Sequence, residues 1–190
     1  MSNFLTNMGG AKVILADARR DLSPFHYIKH LCFLSPVSYI FWFRVFTLIY
    51  DKIPLLKPFL SCLHYINSLL LGIQIPLGSK IGGGFIIKHY SNIAVNKNAI
   101  IGNNCTLFHG VTIGMEFCGK KKGYPTIGNN VILFPGSKII GNVKIGNNVV
   151  VGSNAVVVTD IPDNSVVAGV PGKVISDNVN QYMIAFNLVK

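Results

Sequence analysis

Hydrophobic positions recur every six residues between Ile75 and Val157, with one interruption. From Ile75 to Val111, and again from Ile127 to Val157, each sixth residue is aliphatic or small. A period of six fits neither a helix nor the two-residue alternation of a strand, but it suits a parallel β-helix whose short faces each bury one side chain. The positions are Ile75, Ile81, Ile87, Ile93, Ala99, Cys105, Val111, Ile127, Leu133, Ile139, Ile145, Val151 and Val157.

Turn-forming residues are interspersed with these positions. They are Gly102, Gly128, Gly146 and Gly152, with the pairs Asn103-Asn104, Asn129-Asn130 and Asn147-Asn148. Because Gly and Asn tolerate a positive φ, these positions predict corners between the faces. Small side chains follow four residues after the later repeat positions, at Val131, Ser137, Val143, Val149 and Ala155, where they can share a narrow interior. A sandwich of short strands would need this register to arise by chance.

Residues 11–70 differ from the repeat, because glycine is scarce, aromatic residues are frequent and four prolines divide the segment into several helices. Its uncharged stretches are shorter than the roughly 20 apolar residues of a transmembrane helix or are interrupted by polar ones. We therefore expect either a helical cap on the β-helix or peripheral contact with a membrane. In the second case apolar and basic side chains would meet the lipid: Phe41, Trp42, Phe43, Phe46, Arg19, Arg20, Lys29, Arg44, Lys52 and Lys57.

The organisation predicted from these patterns is a helical segment at 1–70, a β-helix at 71–175 and a tail at 176–190. The repeat is interrupted between Val111 and Ile127, so a loop at 115–126 should leave the β-helix. The N-terminal residues lack the pattern of a secretory signal, and the four cysteines have no paired metal spacing. These features predict a cytoplasmic protein, at the inner face of the cell membrane if residues 11–70 bind lipid, with no metal site.

The formal net charge of +10 predicts an anionic partner. Nucleic acid is not expected, because no nucleic-acid-binding module is recognisable and the only basic run is Lys120-Lys121-Lys122. Coenzyme phosphates, an acidic glycan and an anionic membrane surface would each explain the sign of the charge.

The repeat resembles that of the hexapeptide-repeat acyltransferases, whose fold is a left-handed parallel β-helix. More narrowly, residues 72–175 are similar to the serine acetyltransferases and to relatives that O-acetylate envelope polysaccharides, such as the colanic acid acetyltransferases. The resemblance implies acetyl-CoA as donor, bound in a groove between the β-helices of a homotrimer. The matching strings are KHYSNIAVN at 88–96, HGVTIG at 109–114, YPTIGNNV at 124–131, IIGNVKIGNNVVVGSNAVV at 139–157 and IPDNSVVAGVPGKVI at 161–175.

Acetyl transfer to a hydroxyl requires a base for its proton and donors for the developing oxyanion. His89 aligns with the catalytic histidine of the serine enzymes and is the expected base. His109 should lie one coil away and displaced by two residues, as an acceptor ligand or second acid/base. His26, His30 and His64 fall in the helical segment, where packing or surface roles are expected.

Three departures from the serine enzymes bear on the acceptor. Gln74 replaces an aspartate that orients the histidine, Lys88 replaces an aspartate that helps to hold the amino acid, and Tyr124 replaces a second histidine. A lysine beside the base should repel the ammonium group of serine. Glu116, just past HGVTIG, is a candidate replacement for the missing acid.

The resemblance also assigns a donor site. Gly114, Pro135, Gly136 and Ser153 match positions near the pantetheine arm, and Lys173 matches a basic residue that meets the nucleotide phosphates. Gly114 is the first candidate for an oxyanion donor, and Lys120, Lys121 and Lys122 would contact acceptor carboxylates or coenzyme phosphates unless they form a solvated loop tip.

These observations favour an acetyl-CoA-dependent O-acetyltransferase that modifies a sugar hydroxyl of a capsular polysaccharide, exopolysaccharide or lipid-linked precursor. The acetyl group would pass directly from donor to acceptor, and acidic glycans are among the expected carbohydrate acceptors. Serine O-acetylation is the alternative within the enzyme class. A non-catalytic β-helix scaffold is the alternative outside it, against which the joint presence of His89, HGVTIG and GVPGKV argues.

Overall fold

The computed structural model describes residues 10–21 and 34–188. A helical segment precedes a solenoid of short strands, and a last helix follows it. The helices are α1 Gly10–Asp21, α2 Pro36–Lys52, α3 Lys57–Leu71 and α4 Asn180–Ala185, with a 3-10 turn at Pro54–Leu56.

The solenoid is a prism with three flat faces, each a sheet of parallel strands taken from successive coils. The first face contains β1 Ile73–Gln74, β4 Ile93–Val95, β7 Thr112–Gly114, β10 Lys138–Ile140 and β13 Val156–Val157. The second contains β2 Lys80–Ile81, β5 Ile100–Ile101, β8 Thr126–Ile127 and β11 Lys144–Ile145. The third contains β3 Ile86–Lys88, β6 Thr106–Phe108, β9 Ile132–Leu133, β12 Val150–Val151, β14 Val166–Ala168 and the antiparallel β15 Lys173–Ser176. The predicted mainly β parallel helix with a helical N-terminal segment is confirmed.

The six-residue series is buried throughout, but it belongs to two stacked rows rather than one. Ile81 pairs with Ile101, and Ile101 with Ile127, so the row of large aliphatic residues continues through Ile101 and not through Ala99. Cys105 instead stands opposite Val131, since the residues that follow them, Thr106 and Ile132, are paired.

This change of row has a local cause. Twenty residues separate the paired Ile87 and Leu107, whereas eighteen separate the paired Leu133 and Val151. The two additional residues fall in the corner between β3 and β4, where the chain passes from the third face to the first. In the sequence the six-residue series continues across this corner without a break. In the structure, however, the residues that stack on one another are shifted by two positions after it.

The asparagine pairs form corners, as predicted. The second member of each pair, Asn104, Asn130 and Asn148, has a φ between 54° and 58°. Their amides also form a ladder along the prism, because the Nδ2 of Asn104 donates to Asn130 and that of Asn130 donates to Asn148. The corner Oδ1 of each coil thereby accepts the side-chain N–H of the coil before it.

The corner glycines have a different role from the predicted one. Gly102 and Gly128 do not have positive φ angles. A Cβ atom at Gly102 would lie 2.5 Å from the carbonyl oxygen of Gly128, which is the equivalent residue of the next coil. Glycine is required here because two coils approach closely, and not because the turn is left-handed.

Arg44 of α2 joins the helical segment to the first coil through a buried network. Its Nε donates to the carboxylate of Asp17 in α1 at 3.0 Å, and its two terminal nitrogens donate to the carbonyl oxygens of Ile81 and Gly82 at 2.7 and 2.6 Å. The other oxygen of Asp17 accepts the Phe85 amide at 2.8 Å. Burial raises the pKa of Asp17, while the charge and hydrogen bond of Arg44 oppose this effect.

The apolar side of the same helix completes the core. Tyr39 and Phe43 are fully buried against the first coil, and the Tyr39 hydroxyl donates to the carbonyl oxygen of Ile73 at 3.1 Å. Burial raises the pKa of Tyr39 to about 12, so the phenol stays protonated and can donate this bond. The segment is therefore a cap whose core is continuous with that of the prism.

Part of the membrane hypothesis is consequently wrong. Phe43 and Arg44, two of its expected lipid contacts, are buried within the protein. Trp42 is exposed, the side chains of Arg19 and Arg20 and all of Lys29 lie outside the described residues, and none of the described helices is both long and apolar enough to span a bilayer. The cytoplasmic location remains a prediction.

Residues 176–188, expected only to form a tail, contain α4, which covers the outer surface of the third face. Val179 and Met183 are buried there against Ile132, Val150 and Val166. This packing places Phe186, just after α4, beside the corner that follows the third face.

The buried network of Arg44 gives the first testable prediction. Arg44→Met should lower the free energy of unfolding by roughly 3–5 kcal/mol, because it leaves the Asp17 carboxylate and two carbonyl oxygens without their donor. Adding Asp17→Asn should recover part of this loss. Urea unfolding at a fixed protein concentration measures both effects, with Lys52→Met, an exposed change at the end of the same helix, as the control. Equal midpoints for Arg44→Met and the control would contradict the prediction.

Candidate active site

His89 and His109 lie at one corner of the prism, where the third face turns into the first. Lys88 pairs with Phe108 in the register of β3 and β6, so the histidines that follow them stand one above the other. Their ring centroids are 6.4 Å apart and the rings are nearly perpendicular. Both side chains are exposed. The expected displacement of two residues is wrong, because this coil contains the two additional residues.

The corner has an unusual backbone. His89, Ser91 and Asn92 all have positive φ angles, 54°, 120° and 51°. A non-glycine residue in this region costs of order 1–3 kcal/mol and persists only where its surroundings hold it. One such restraint is the hydrogen bond from the Gly110 amide to the Ser91 carbonyl oxygen at 3.0 Å. The strain falls on the residue proposed as base, which is where functional strain is expected.

The same corner continues along the prism through three of the residues predicted to bind the donor. The amide of Gly136 donates to the carbonyl oxygen of His109 at 3.0 Å, and the amide of Asn154 donates to that of Pro135 at 2.9 Å. Ser153, exposed, occupies the next coil above Pro135. We call this line of residues, His89, His109, Pro135 with Gly136, and Ser153, the histidine corner.

Lys173 lies at the upper end of the histidine corner. It pairs with Ala168 at the end of β14, and it is exposed. Adjacent strands of a sheet are about 4.8 Å apart, so the five steps from β3 to β15 separate the levels of His89 and Lys173 by roughly 24 Å. A ligand bound along the corner would need a reactive end and an anionic end that are far apart.

Aromatic side chains wall one side of the histidine corner. The ring of Phe108 stacks on that of His89 with centroids 6.0 Å apart, and Phe134 stacks on Phe108 at 5.2 Å. Phe186, just after α4, meets both phenylalanines edge-on at 6.0 Å. We call Phe108, Phe134 and Phe186 the aromatic wall. The sequence motifs do not reveal this wall, although the 26 residues between Phe108 and Phe134 equal the length of that coil.

Lys88 contacts the aromatic wall. Its Nζ lies 5.9 Å from the centroid of the Phe186 ring, in a cation–π arrangement. Because Lys88 ends β3, its side chain leaves the outer surface of the third face directly before the turn at His89.

Gln74 lies on the first face, paired with Ala94 of the next coil. It is exposed at the rim of a cavity of about 570 Å³ between α3 and the first coil. No residue of the histidine corner lines this cavity. The role of Gln74 in orienting His89 remains a prediction.

His64 lines the same cavity and has a packing role, as expected. Its Nε2 donates to the carbonyl oxygen of Ile75 at 2.7 Å, and burial lowers its pKa and favours the neutral ring. His26 and His30 lie outside the described residues.

The loop residues occupy a different corner, between the first and second faces. The chain leaves the prism after Gly114 and returns at Thr126, and Glu116 forms an antiparallel bridge with Gly123. One oxygen of Glu116 accepts the amides of Phe117 and Cys118 at 2.9 and 3.2 Å. Within the protomer the structure does not bring Glu116 or the half-buried Tyr124 to the histidine corner.

The three loop lysines do not act alike. Lys121 pairs with Asp160 at 2.9 Å, and its carbonyl oxygen accepts the Asn142 amide, which ties the loop to the prism. A hydrogen bond from the Lys144 amide, with a smaller contribution from Lys121, lowers the pKa of Asp160. Lys120 and Lys122 are exposed. An exposed pair of this kind contributes little to stability, so its main effect is on the position of the loop.

Gly114, the first candidate for an oxyanion donor, lies at the far end of the first face from His89. Three residues of strand separate the two corners on this face, a span of roughly 10 Å. Gly114 and His89 of one protomer therefore cannot serve the same reacting atoms.

Comparison with known proteins gives consistent matches. Residues 124–159 match the bacterial transferase hexapeptide family, described as six repeats. A serine acetyltransferase of Synechococcus elongatus is 36% identical over 125 residues, which cover 66% of this chain and 50% of the relative. The chain spans about half the length of the curated relatives it matches.

Solved structures match over more of the chain. Serine acetyltransferase from Brucella abortus in complex with coenzyme A has a TM-score of 0.76 and 25% identity, with 92% of this chain and 71% of that one covered. Serine acetyltransferase of Neisseria gonorrhoeae in complex with serine has a TM-score of 0.74 and 29% identity, with 91% and 72% covered.

These matches correct the sequence-based choice of acceptor. The prediction of a sugar hydroxyl in a capsular polysaccharide, exopolysaccharide or lipid-linked precursor is contradicted, because the matched relatives and structures are named serine acetyltransferases and two of the structures hold serine. The specific likeness to polysaccharide acetyltransferases is not supported either. What stands is a hexapeptide-repeat protein with serine acetyltransferase homologues.

Proposed function

From the hexapeptide repeats that this chain shares with the bacterial transferases, and from its serine acetyltransferase homologues, we propose that it transfers an acetyl group from acetyl-CoA to the hydroxyl of serine. The observation that carries the proposal is the histidine corner. It combines two exposed histidines in register, a strained backbone at the first of them and a continuous line of small residues leading to Lys173.

His89 is the proposed general base. Histidine suits this role because its ordinary pKa lies near the working pH. The imidazole removes the proton of the acceptor hydroxyl as its oxygen attacks the thioester carbonyl. When the tetrahedral intermediate collapses, the carbon–sulfur bond breaks, and the imidazolium returns the proton to the thiolate of coenzyme A. The Phe108 ring restricts the imidazole on one side, so less motion must be lost on substrate binding.

His109 is the proposed second polar group of the reacting centre. Its nearly perpendicular ring lies 6.4 Å from that of His89, near enough for both imidazoles to contact one small acceptor. From this position it can hold the acceptor hydroxyl or carboxylate without removing the proton itself. Gln74 and Glu116 remain weaker candidates, because Gln74 is on the next face and Glu116 is bound within its own loop.

The donor is proposed to lie along the histidine corner, with the thioester at the histidines and the phosphates at Lys173. Pro135, Gly136 and Ser153 present little side-chain bulk, so an extended arm can lie close to the backbone. A homologous enzyme has been solved with coenzyme A, which supports the choice of donor. No metal enters this mechanism.

We propose a homotrimer as the working form. Within one protomer, Gly114 and the loop lysines lie too far from the histidine corner to act there. In a trimer, the Gly114 and loop lysines of a second protomer could reach the histidine corner of the first. Light scattering should then report the mass of three chains. A monomer with full activity would remove Gly114 and the loop from the site.

The proposal is tested by following thiol release from acetyl-CoA with purified protein and L-serine, and by identifying O-acetylserine by mass spectrometry. Turnover at rates usual for enzymes, about 1–10³ s⁻¹, supports it. Thiol release that L-serine does not stimulate contradicts it. Binding of acetyl-CoA without turnover of any hydroxyl compound would favour the non-catalytic scaffold.

His89→Ala should lower kcat by roughly 10²–10⁴-fold, the usual contribution of a positioned base, while coenzyme A still binds. His109→Ala should have a smaller effect, mainly on KM for the acceptor. Steady-state kinetics and calorimetric titration with coenzyme A measure the two quantities, and a solution mass equal to the wild type controls for assembly. Full kcat in His89→Ala would assign the base elsewhere.

Lys173→Ala should raise KM for acetyl-CoA more than it changes kcat, since a phosphate contact distant from the thioester holds substrate and transition state equally. The matched control is Lys144→Ala, because Lys144 is also an exposed lysine that begins a strand, but it lies on the second face. Equal KM values for the two variants would exclude Lys173 from the donor site.

A further inference from the structure

The charge around the histidine corner is of one sign. Lys88 and Lys173 border it, and Lys138 begins β10 just after it. The carboxylates whose side chains the structure describes all lie in other segments. They are Asp17 and Asp51 in the cap, Glu116 in the loop, Asp160 beside Lys121, Asp163 at the corner of Asn147, and Asp177 after β15.

Lys88 is the cation nearest to the proposed base along the chain, and side-chain contacts tie it to that base. Its ammonium lies over Phe186, Phe186 packs on Phe108, and Phe108 stacks on His89. The aromatic wall therefore holds the Lys88 ammonium and the His89 imidazole on the same side of the prism.

Serine carries two charges close to its hydroxyl, an ammonium and a carboxylate. Beside Lys88 the ammonium is repelled and the carboxylate is attracted, and within the protomer no described carboxylate lies at this corner to bind the ammonium. The repulsion expected from the sequence concerns the ammonium of serine alone. The same lysine favours serine if the amino acid is recognised by its other charged end.

We propose that this site recognises its acceptor through the carboxylate, bound by Lys88, and that an ammonium group is dispensable. The substrate class is then the short β-hydroxy carboxylates, of which serine is one. This inference rests on the proposed acetyl transfer and narrows its acceptor. It makes Lys88 a specificity-determining residue that acts on binding and not on the proton.

Two analogues of serine separate its charges. 3-Hydroxypropanoate keeps the hydroxyl and the carboxylate, and ethanolamine keeps the hydroxyl and the ammonium. With acetyl-CoA as donor, 3-hydroxypropanoate should have a kcat/KM equal to or above that of L-serine. Ethanolamine should be lower by roughly 10- to 100-fold, the usual effect of losing one hydrogen bond to a charged group.

Lys88→Met then assigns the effect to one side chain. It should raise KM for L-serine and 3-hydroxypropanoate by up to the same roughly 10- to 100-fold, lower KM for ethanolamine because the repulsion is removed, and alter kcat little. Lys88→Arg should restore most of the loss, because it keeps the charge. Lys80→Met, at the start of β2 on the second face of the same coil, is the matched control. A merely structural role of Lys88 would instead lower kcat for all three acceptors alike.

Calorimetric titration of the coenzyme A complex with 3-hydroxypropanoate and with ethanolamine separates this inference from the proposed function. Turnover of L-serine together with equal use of the two analogues, or with an unaffected Lys88→Met variant, overturns the inference and leaves the function standing. Carboxylate binding that requires Lys88 but is followed by no acetyl transfer supports the recognition and overturns the function. Absence of both binding and turnover overturns both.

Discussion

Pairing between successive coils in register is the constraint on which the rest of this structure depends. Each inward side chain stacks on its counterpart in the next coil, and a shift of one residue within a face would turn the buried row outward. Additional residues can therefore enter only at corners. The chain has two such additions, one between Ile87 and Ile93 and one between Gly114 and Thr126. The first forms the turn at His89, and the second carries the loop lysines.

The first addition determines the geometry of the proposed active site. With eighteen residues in this coil His109 would be displaced from His89, whereas with twenty the two histidines are stacked. The corner that holds the additional residues also has positive φ angles at His89, Ser91 and Asn92. The cost of this backbone is offset by neighbouring coils, since an amide of the next coil binds Ser91 and the Phe108 ring packs on His89. The base is thus held by rigid elements on both sides, as a preorganised site requires.

The six-residue period was sufficient to predict the fold, but not the register. The six-residue series of aliphatic and small residues continues through the corner at residues 88–92. Both rows of buried side chains accept such residues, so the sequence does not reveal that the series passes from one row to the other. Arg44 was misassigned for a related reason. A cation on an aromatic-rich helix suits either a lipid surface or a buried acid, and its partner Asp17 is 27 positions away. The aromatic wall was missed because α4 depends on packing against strands far apart in sequence. His89 and the donor residues could be proposed from the repeat motifs alone.

The most direct test is an experimental structure of the protein with coenzyme A and serine bound together. The account predicts that the pantetheine arm follows the histidine corner from Lys173 to His89. The serine hydroxyl should lie within hydrogen-bond reach of a His89 ring nitrogen, about 2.6–3.2 Å. The serine carboxylate should face Lys88. Coenzyme A bound elsewhere, for example in the cavity beside α3, or a thiol end remote from both histidines, would contradict it.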